Sequence, residues 1–382
     1  MIIKNGNIYT NKLFINGDII IQDKIIKHIV YNYDIDNNKI NESDEAIIDA
    51  SDLYIIPGLV DIHFHGCKGH DFCEATFECL DVITQYQMQN GVTSIIPATM
   101  TLSRHELEEI FINFYKYKND KGSTIRGITM EGPFVSQSKK GAQNGNYILM
   151  PDIGLFREMQ KLSGNMIKQV AVAPEEDKDF LFVKEVSKET VVSVAHTMAD
   201  YDIADNAFKS GATHVTHLFN AMPAFNHREP SIVGAAFDNP NVFVELICDG
   251  IHLHPSIVRA MFKMFGADRI CMISDSMMAT GMPDGDYMLG GQSVKVSGKK
   301  ALLKDGTIAG SVSNLYDCLK TAVFDMKIPL AEAICACTST PAKSLGIENE
   351  CGYICVGKEA DLVLMDKDLN IRYVIKSGEI VI

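Results

Sequence analysis

Short apolar segments, many of them closed by a polar residue, recur through the middle of the chain. Eight segments can be distinguished, at residues 58–66, 93–100, 125–133, 168–175, 191–197, 212–220, 242–250 and 269–276. Stretches with helical periodicity lie at residues 75–91, 105–119, 179–189, 202–211, 256–266, 315–326 and 330–346. Eight strands alternating with helices are typical of a (β/α)8 barrel, whose active site lies at the carboxyl ends of the strands. We therefore predict an α/β fold built on a (β/α)8 TIM barrel.

The two chain ends have a different pattern, with short β-branched segments separated by Asn-Gly and charged turns. These segments are residues 12–21, 24–30, 359–366, 370–378 and 378–382. Neither end could easily bury a core alone, so we expect both to pair in one small β-sandwich. The predicted boundaries are 1–54 and 353–382 for the sandwich and 55–352 for the barrel, with a glycine-rich hairpin insertion near 280–310. A polar loop is predicted at 37–45.

Composition narrows the class of partner. The chain has 382 residues, 46% of them apolar, and a formal net charge of −14. This acidity disfavours a nucleic-acid binder, because such proteins neutralise phosphates with Lys and Arg. An anionic small substrate stays open if a local basic pocket exists.

Location is predicted from what the sequence lacks. No leader-like pattern and no run of about 20 apolar residues occurs, so we expect no membrane partner and a cytoplasmic protein. The ten cysteines include no C-x-x-C pair. Reduced thiols explain them best.

Potential metal ligands end five of the eight predicted strands: His63, His65, Glu131, His196, His217 and Asp275. On an extended strand, His63 and His65 would share one face and point into the barrel mouth. One histidine at a strand end is more often a hydrogen-bonded structural residue, but the combined set indicates a metal site. Nitrogen and oxygen ligands of this kind suit zinc, iron(II), manganese or cobalt, and the sequence does not choose among them.

The same residues carry a family resemblance. The segments PGLVDIHFHG (57–66) and SDS (274–276) resemble the amidohydrolase superfamily, whose members also carry a β-sandwich made from both chain ends. Further motifs resemble the N-acetylglucosamine-6-phosphate deacetylases: EGPF (131–134), KKGAQN (139–144), AHT (195–197), THLFNAM (216–222), REP (228–230), CDGIHLHP (248–255) and GSVSNL (310–315). The resemblance implies hydrolysis of N-acetyl-D-glucosamine 6-phosphate to D-glucosamine 6-phosphate and acetate, in amino-sugar catabolism and cell-wall sugar recycling.

The resemblance also implies the ligand set. Many binuclear relatives use a carboxylated lysine at the fourth strand, where this chain has APEE instead. The deacetylases use a glutamate from the preceding strand, which matches Glu131, so Glu131, His196 and His217 would hold the main metal. Glu175 and Glu176 are extra carboxylates or, preferably, loop residues.

One or two metals remain open, with zinc the first expectation. His63 and His65 could build a second site, with Glu131 bridging and Asp275 nearby, or could hold a water network instead.

Two residues are predicted to be catalytic. Asp275 would take the proton of the attacking water and pass it to the sugar nitrogen as the C–N bond breaks. His252 would donate to the carbonyl oxygen and stabilise the tetrahedral oxyanion. The alternatives are a helix-capping Asp275 and a packed loop His252.

Substrate binding is predicted from matched motif positions. Arg228 matches an arginine that reaches the phosphate in the neighbouring subunit, which implies a homodimer; a surface salt bridge is the alternative. The other predicted contacts are Ala142, Gln143, Asn220, Ala221, His252, Ile308, Ala309 and Gly310. Lys139 and Lys140 are expected to be solvated, although one could assist.

Gln143 is a departure from the family pattern. Well-known members have histidine at this position, and glutamine can hydrogen-bond but cannot carry a proton. Gln143 is therefore a binding candidate only.

Competing functions remain. One is another amidohydrolase, such as an N-acetylgalactosamine-6-phosphate deacetylase, a deaminase or a cyclic amidase. A scaffold without catalysis is a rival from a different class, but such proteins typically lose metal ligands and here all six candidates are present.

Overall fold

The computed structural model describes residues 1–32, 46–119 and 121–382. The polar loop predicted at 37–45 lies outside these ranges. The strands are β1 (Ile2–Thr10), β2 (Leu13–Gln22), β3 (Ile25–Tyr31), β4 (Ile47–Asp49), β5 (Tyr54–Pro57), β6 (Leu59–Asp61), β7 (Gly66–Cys67), β8 (His70–Asp71), β9 (Val92–Ile95), β10 (Thr124–Ile125), β11 (Ile128–Met130), β12 (Ile167–Val172), β13 (Val191–Val194), β14 (His214–Val215), β15 (Phe243–Ile247), β16 (Ile270–Ile273), β17 (Gly285–Leu289), β18 (Gln292–Ser297), β19 (Lys300–Leu302), β20 (Leu362–Met365), β21 (Ile371–Lys376) and β22 (Glu379–Ile380).

The helices are α1 (Phe77–Gln89), α2 (Arg104–Lys116), α3 (Ile153–Leu162), α4 (Leu181–Val186), α5 (Tyr201–Ser210), α6 (Ser231–Asp238), α7 (Pro255–Phe265), α8 (Leu315–Phe324), α9 (Leu330–Cys337) and α10 (Ser339–Ser344). Within the described ranges, no helix is both long enough and apolar enough to cross a membrane.

Each of the eight predicted segments contains one of the strands β6, β9, β11, β12, β13, β14, β15 and β16. They pair in parallel in two sets, β10-β9-β6 and β11 through β16 in chain order. A parallel bridge between Ala98 and Thr129 connects the sets on one side. On the other side the Asp275 N–H donates to the His63 carbonyl over 3.0 Å. The predicted α/β alternation is therefore confirmed.

Both chain ends contribute to one sheet, in the order β22-β21-β20-β5-β1-β2-β3, with β4 paired to β1. Strand β20 runs antiparallel to β5, with Leu362 opposite Pro57. The core of this shared sheet includes Ile8, Ile55 and Leu364, each fully buried. After β5 the chain continues through Gly58 into β6, so this sheet is directly connected to the first parallel strand.

Local sequence explains where helices begin and end. Helix α2 begins with a capping box, because Ser103 accepts from the Glu106 N–H while Glu106 accepts from the Ser103 N–H. The helical stretch at 330–346 is divided at Thr338 into α9 and α10. Pro341 cannot donate to the Cys337 carbonyl, so one continuous helix would lack a hydrogen bond there.

Residues 285–302 form a three-stranded antiparallel sheet, β17-β18-β19, where the hairpin insertion is predicted. Its buried face includes Leu289, Val294 and Ala301, packed with Met100 and Met277. Because Met277 follows the eighth parallel strand, this packing brings the insertion to the carboxyl ends of the strands.

Candidate active site

Three predicted ligands meet at a single oxygen atom. Glu131 follows β11, His196 follows β13 and His217 follows β14. The Nε2 atoms of His196 and His217 lie 3.2 and 3.1 Å from Glu131 Oε1, and 3.1 Å from each other. Two imidazole nitrogens and a buried carboxylate oxygen this close together are the donor set of a divalent metal site.

A second group adjoins the first. His65 Nε2 lies 3.2 Å from Asp275 Oδ1 and 3.4 Å from Glu131 Oε2. His63 Nε2 lies 3.5 Å from Glu131 Oε1, is fully buried and has no hydrogen-bond partner among the described residues. An unpartnered buried nitrogen facing carboxylate oxygens fits a bound cation. The two oxygens of Glu131 therefore face both groups. Glu131, His196 and His217 form the first of these two metal groups, and His63, His65 and Asp275 form the second.

The extended strand predicted through His65 ends at Asp61 instead. The reason is that the backbone after Asp61 bonds to loops on both sides instead of continuing a regular ladder: the His65 N–H donates to the Ser276 carbonyl over 2.7 Å, and the Phe64 carbonyl accepts from the Ala98 N–H over 2.7 Å. His63 and His65 nevertheless lie side by side, with ring centroids 5.4 Å apart.

Three of these residues have a left-handed backbone: φ is 43° at His196, 27° at His217 and 48° at Asp275. This conformation costs on the order of 1–3 kcal/mol for a residue other than glycine. Such costs concentrate where the surrounding structure fixes a functional geometry. Here each residue lies two positions after the end of a parallel strand and contributes an atom to the metal groups.

A cavity of about 330 Å³ opens over these groups. Its lining includes most of the predicted site residues: His65, Glu131, Ala142, Gln143, His196, His217, Asn220, Ala221, His252, Asp275, Ile308 and Gly310. Three predicted residues do not line it. His63 lies buried behind the ligands, Ala309 is fully buried in the core of the insertion, and Arg228 is exposed on a loop outside the cavity.

Comparison with known proteins assigns the family. The sequence profile of the amidohydrolase family matches residues 54–381. The chain belongs to this family. A curated relative, an N-acetylglucosamine-6-phosphate deacetylase of Bacillus subtilis (strain 168), is 37% identical over 336 residues, which covers 86% of this chain and 85% of the relative. An N-acetylgalactosamine-6-phosphate deacetylase of Escherichia coli O157:H7 is 28% identical, with 85% of this chain and 87% of the relative covered.

A solved structure is similar throughout. The N-acetyl-D-glucosamine-6-phosphate deacetylase of Mycobacterium smegmatis, as a mutant in complex with N-acetyl-D-glucosamine-6-phosphate, matches with a TM-score of 0.92 and 28% identity. The match covers 100% of this chain and 99% of the solved chain.

In this chain, Gln143 supports the predicted metal ligand Glu131. Its Nε2 donates to Glu131 Oε2 over 2.7 Å, and its Oε1 accepts from the Thr101 N–H over 2.6 Å. Gln143 therefore holds one oxygen of Glu131 in place while it also lines the cavity.

Two other predicted candidates have structural contacts. Glu175 accepts from the Thr197 hydroxyl and the Met198 N–H, and belongs to neither metal group. Lys139 lines the cavity, donates from Nζ to the Met222 carbonyl, and accepts from His196 Nδ1 at its own carbonyl over 3.0 Å. Lys139 thus has a role that a solvated lysine would not have.

His252 is held in the cavity by Asp249. Its Nδ1 lies 2.8 Å from Asp249 Oδ2, and its own N–H and that of Ile251 donate to Asp249 Oδ1. Burial lowers the pKa of His252, but the hydrogen bond and charge of Asp249 outweigh burial, so that this pKa is raised.

The histidines of the metal groups also lower the pKa values of the carboxylates beside them. Burial would raise the pKa of Glu131, yet the histidines around it hold that pKa well below the usual range. The pKa of Asp275 is lowered as well, because the hydrogen bond from His65 and the neighbouring histidines outweigh burial. Both groups are therefore available as anions.

Sequence reasoning missed two buried carboxylates behind the ligands. Glu245, on β15, lies 3.0 Å from His63 Nδ1. Asp61 accepts from the Ser274 hydroxyl over 2.6 Å, and burial raises its pKa to about 7. The signal for Glu245 was available, because it is a charged residue within an otherwise apolar strand.

Proposed function

We propose that the chain is a metal-dependent deacetylase that hydrolyses the acetamide of N-acetyl-D-glucosamine 6-phosphate to D-glucosamine 6-phosphate and acetate. The observation that carries the proposal is the convergence of Glu131, His196 and His217 beside Asp275 in one cavity. The deacetylases among its relatives, at up to 37% identity, support the substrate. Amino-sugar catabolism and cell-wall sugar recycling are the processes this reaction serves.

We propose further that the eight parallel strands form a closed (β/α)8 barrel over residues 55–352, and that 1–54 and 353–382 form the β-sandwich. The hydrogen bonds between the β6 and β16 ends support closure. The sheet shared by both chain ends supports the second unit.

Glu131, His196 and His217 would hold the main metal ion, with zinc foremost and iron(II), manganese or cobalt as alternatives. His63, His65 and Asp275 would hold a second ion. A bound ion supplies Lewis acidity, polarising the acetamide carbonyl and lowering the pKa of water toward roughly 7.

Asp275 acts as general base and then as general acid. Its carboxylate takes a proton from the attacking water while the C–O bond forms. The same proton passes to the sugar nitrogen as the C–N bond breaks, so the amine leaves neutral. The lowered pKa of Asp275 ensures that the carboxylate begins the cycle ionised.

His252 donates to the acetamide oxygen. Because Asp249 accepts from Nδ1, His252 can donate from Nε2 only when both ring nitrogens are protonated. The raised pKa of His252 favours that form. A fixed donor aimed at the developing oxyanion stabilises the transition state more than the ground state.

The phosphate requires cations, since the chain has a net charge of −14. Asn220 and the Ala221 N–H would contact the sugar phosphate, and Lys139 is a cation from the same chain at the cavity. Ile308 and Gly310 would line the acetyl pocket, with the predicted contact Ala309 buried behind them. Arg228, exposed on its own chain, would reach the substrate of a second subunit in a homodimer.

The ten free cysteines support a reducing, cytoplasmic setting.

A panel of sugars tests the function. Purified protein with measured metal content is given N-acetyl-D-glucosamine 6-phosphate, its galactosamine epimer and unphosphorylated N-acetylglucosamine, and released acetate is measured. The glucosamine phosphate should give the highest kcat/KM. Preference for the epimer would favour the galactosamine alternative, and no turnover of any sugar by metal-loaded protein would contradict the proposal.

Arg228→Ala tests the phosphate contact across the dimer. We expect a raised KM for the phosphorylated sugar and little change for the unphosphorylated one, because only the former loses a partner. Arg104→Ala, which removes a surface arginine paired with Glu108 and Glu158, is the control and should leave both values unchanged. Equal effects of Arg228→Ala on both sugars would show that Arg228 is no phosphate ligand.

A further inference from the structure

Glu245 lies directly behind one predicted metal ligand. Its side chain is fully buried on β15. Oε2 lies 3.0 Å from His63 Nδ1 and accepts from the His217 N–H over 3.1 Å. Oε1 accepts from Gln169 Nε2 over 2.9 Å and lies 3.3 Å from His214 Nε2. One carboxylate thus contacts groups from the first, fourth and sixth segments.

The contact with Glu245 determines which nitrogen of His63 carries hydrogen. An ionised carboxylate only accepts hydrogen bonds, so His63 Nδ1 must be the donor. In the neutral ring, which is the form that binds a metal, the lone pair of Nε2 then faces Glu131 Oε1 at 3.5 Å and Asp275 Oδ1 at 3.9 Å. Three acceptors that face one another in a buried site repel unless a proton or a metal cation lies among them.

No other histidine of the two groups has such a partner. His196 Nδ1 bonds to a backbone carbonyl, while in the described part of the chain the Nδ1 atoms of His65 and His217 have no hydrogen-bond partner. A carboxylate behind the ring fixes its orientation and raises its basicity as a ligand. His63 is therefore the histidine best prepared to bind a metal.

Charge leads to the same conclusion. Glu131, Glu245 and Asp275 are all buried, and among the described residues no lysine or arginine forms an ion pair with any of them. Their ion-pair partners are histidines, which bind a metal in the neutral form, so the three negative charges then need compensation from the ions themselves. A single divalent ion would leave one negative charge uncompensated, whereas the charge of two ions outweighs all three carboxylates.

We propose that Glu245 is the positioning residue that commits His63 to metal binding and thereby sustains a second ion at His63, His65 and Asp275. This inference rests on the metal dependence of the proposed function. It assigns to Glu245 no contact with the substrate, since Glu245 acts through His63.

Metal counting tests the inference. Wild type and Glu245→Gln are stripped with chelator and equilibrated at a series of buffered free Zn²⁺ concentrations, and bound zinc per chain is measured by elemental mass spectrometry. Wild type should bind two ions. The variant should keep one and bind the other roughly 10–100-fold more weakly. A wild type that binds fewer than two ions, or a variant with unchanged affinity for both, would overturn the proposal.

A double-mutant cycle separates positioning from general structural support. His63→Gln should itself lose the weaker ion, and adding Glu245→Gln should then change zinc affinity no further. An equal additional loss in both backgrounds would overturn the proposal, because Glu245 would then not act through His63.

The matched control is Asp177→Asn, which alters another buried carboxylate, one that accepts from the Phe182 and Val183 N–H groups away from the metal groups. It should keep two ions. If circular dichroism shows Glu245→Gln unfolded, Glu245→Asp replaces it, with the same expected loss because the shorter side chain withdraws from His63. Bound zinc is counted without substrate, so failure of deacetylation and failure of this inference are distinguishable.

Discussion

Glu131 and Asp275 are both buried among histidines, but they have different partners. One oxygen of Glu131 is shared by His196 and His217. The Asp275 side chain has a single hydrogen-bond partner among the described residues, His65, whose Nε2 lies 3.2 Å from Asp275 Oδ1. Glu131 is therefore suited to hold an ion. Asp275, which also lines the cavity, has an oxygen available for proton transfer.

Asp275→Asn should fold and retain the main metal but lose turnover by about 10²–10⁴-fold, since an amide cannot accept the proton of water. The measurement is kcat for acetate release together with zinc per chain. Retained zinc with turnover near wild type would remove Asp275 from the mechanism.

His252 should give kcat/KM a decline at alkaline pH. Its folded pKa is raised, so the doubly protonated donor is present below that pKa and is lost as pH rises through it. His252→Gln keeps an amide donor that does not titrate. The variant should be slower by up to about 10²–10³-fold and lack this decline, measured as kcat/KM against pH. An unchanged alkaline limb in the variant would assign it to another group.

Sequence reasoning selected the residues that the fold brings together in the two groups, but not the residues that hold them in place. His196 and His217 were recognisable because each follows an apolar strand segment. Glu245 was not predicted as a partner of His63, because 182 residues separate them and only the tertiary fold brings them together. Gln143 was predicted to bind substrate, and its bond to Glu131 depends on the path of a loop that has no periodicity to read.

Gly132 determines the backbone path after strand β11 and therefore the position of Glu131, which lies between them. Its φ is +84°, and a Cβ there would lie 2.1 Å from the Thr101 hydroxyl oxygen. Both the backbone conformation and the space therefore require glycine.

Gly132→Ala should lower the free energy of unfolding by well over 1 kcal/mol and weaken zinc binding, because relief of the clash displaces Glu131. Gly266→Ala is the control, since Gly266 also has positive φ (+71°) but nothing within 4 Å of its Cβ position. It should cost only about 1 kcal/mol and leave zinc binding intact. Chemical denaturation and zinc titration would compare them, and equal losses would contradict the steric argument.

Element types were predictable and their exact ends were not. Apolar runs of strand length and helical periodicity located the parallel strands and intervening helices. The end of β6 at Asp61 and the break at Thr338 depended on hydrogen bonds to distant loops and on one proline, which a periodic pattern does not contain.

For the whole molecule, the shared sheet makes the C-terminal segment part of the support for the first ligand strand. Leu364 is fully buried in this sheet and lies opposite Ile55 on β5, which leads through Gly58 into β6 and His63. Strand β20 is thus coupled to the metal groups through its pairing with β5, which is covalently continuous with β6.

Leu364→Ala should destabilise the protein by about 2–5 kcal/mol, through lost burial and a cavity. Val356→Ala, at a side chain 61% exposed, is the control and should change stability by less than about 0.5 kcal/mol. Urea unfolding at equal metal occupancy would measure both. Similar values for the two variants would mean that the sheet contributes little to global stability.

The loop from Lys139 to Gln143 has a consequence for how the protein could diverge. Its Lys139 carbonyl accepts from His196 and its Gln143 amide donates to Glu131, while Ala142 lines the cavity between them. Substitutions selected there for a new sugar would also change the hold on the ion. Ile308 lines the cavity and bridges to Leu302 of the insertion, so variation at Ile308 itself is the freer route to altered acyl-group selectivity.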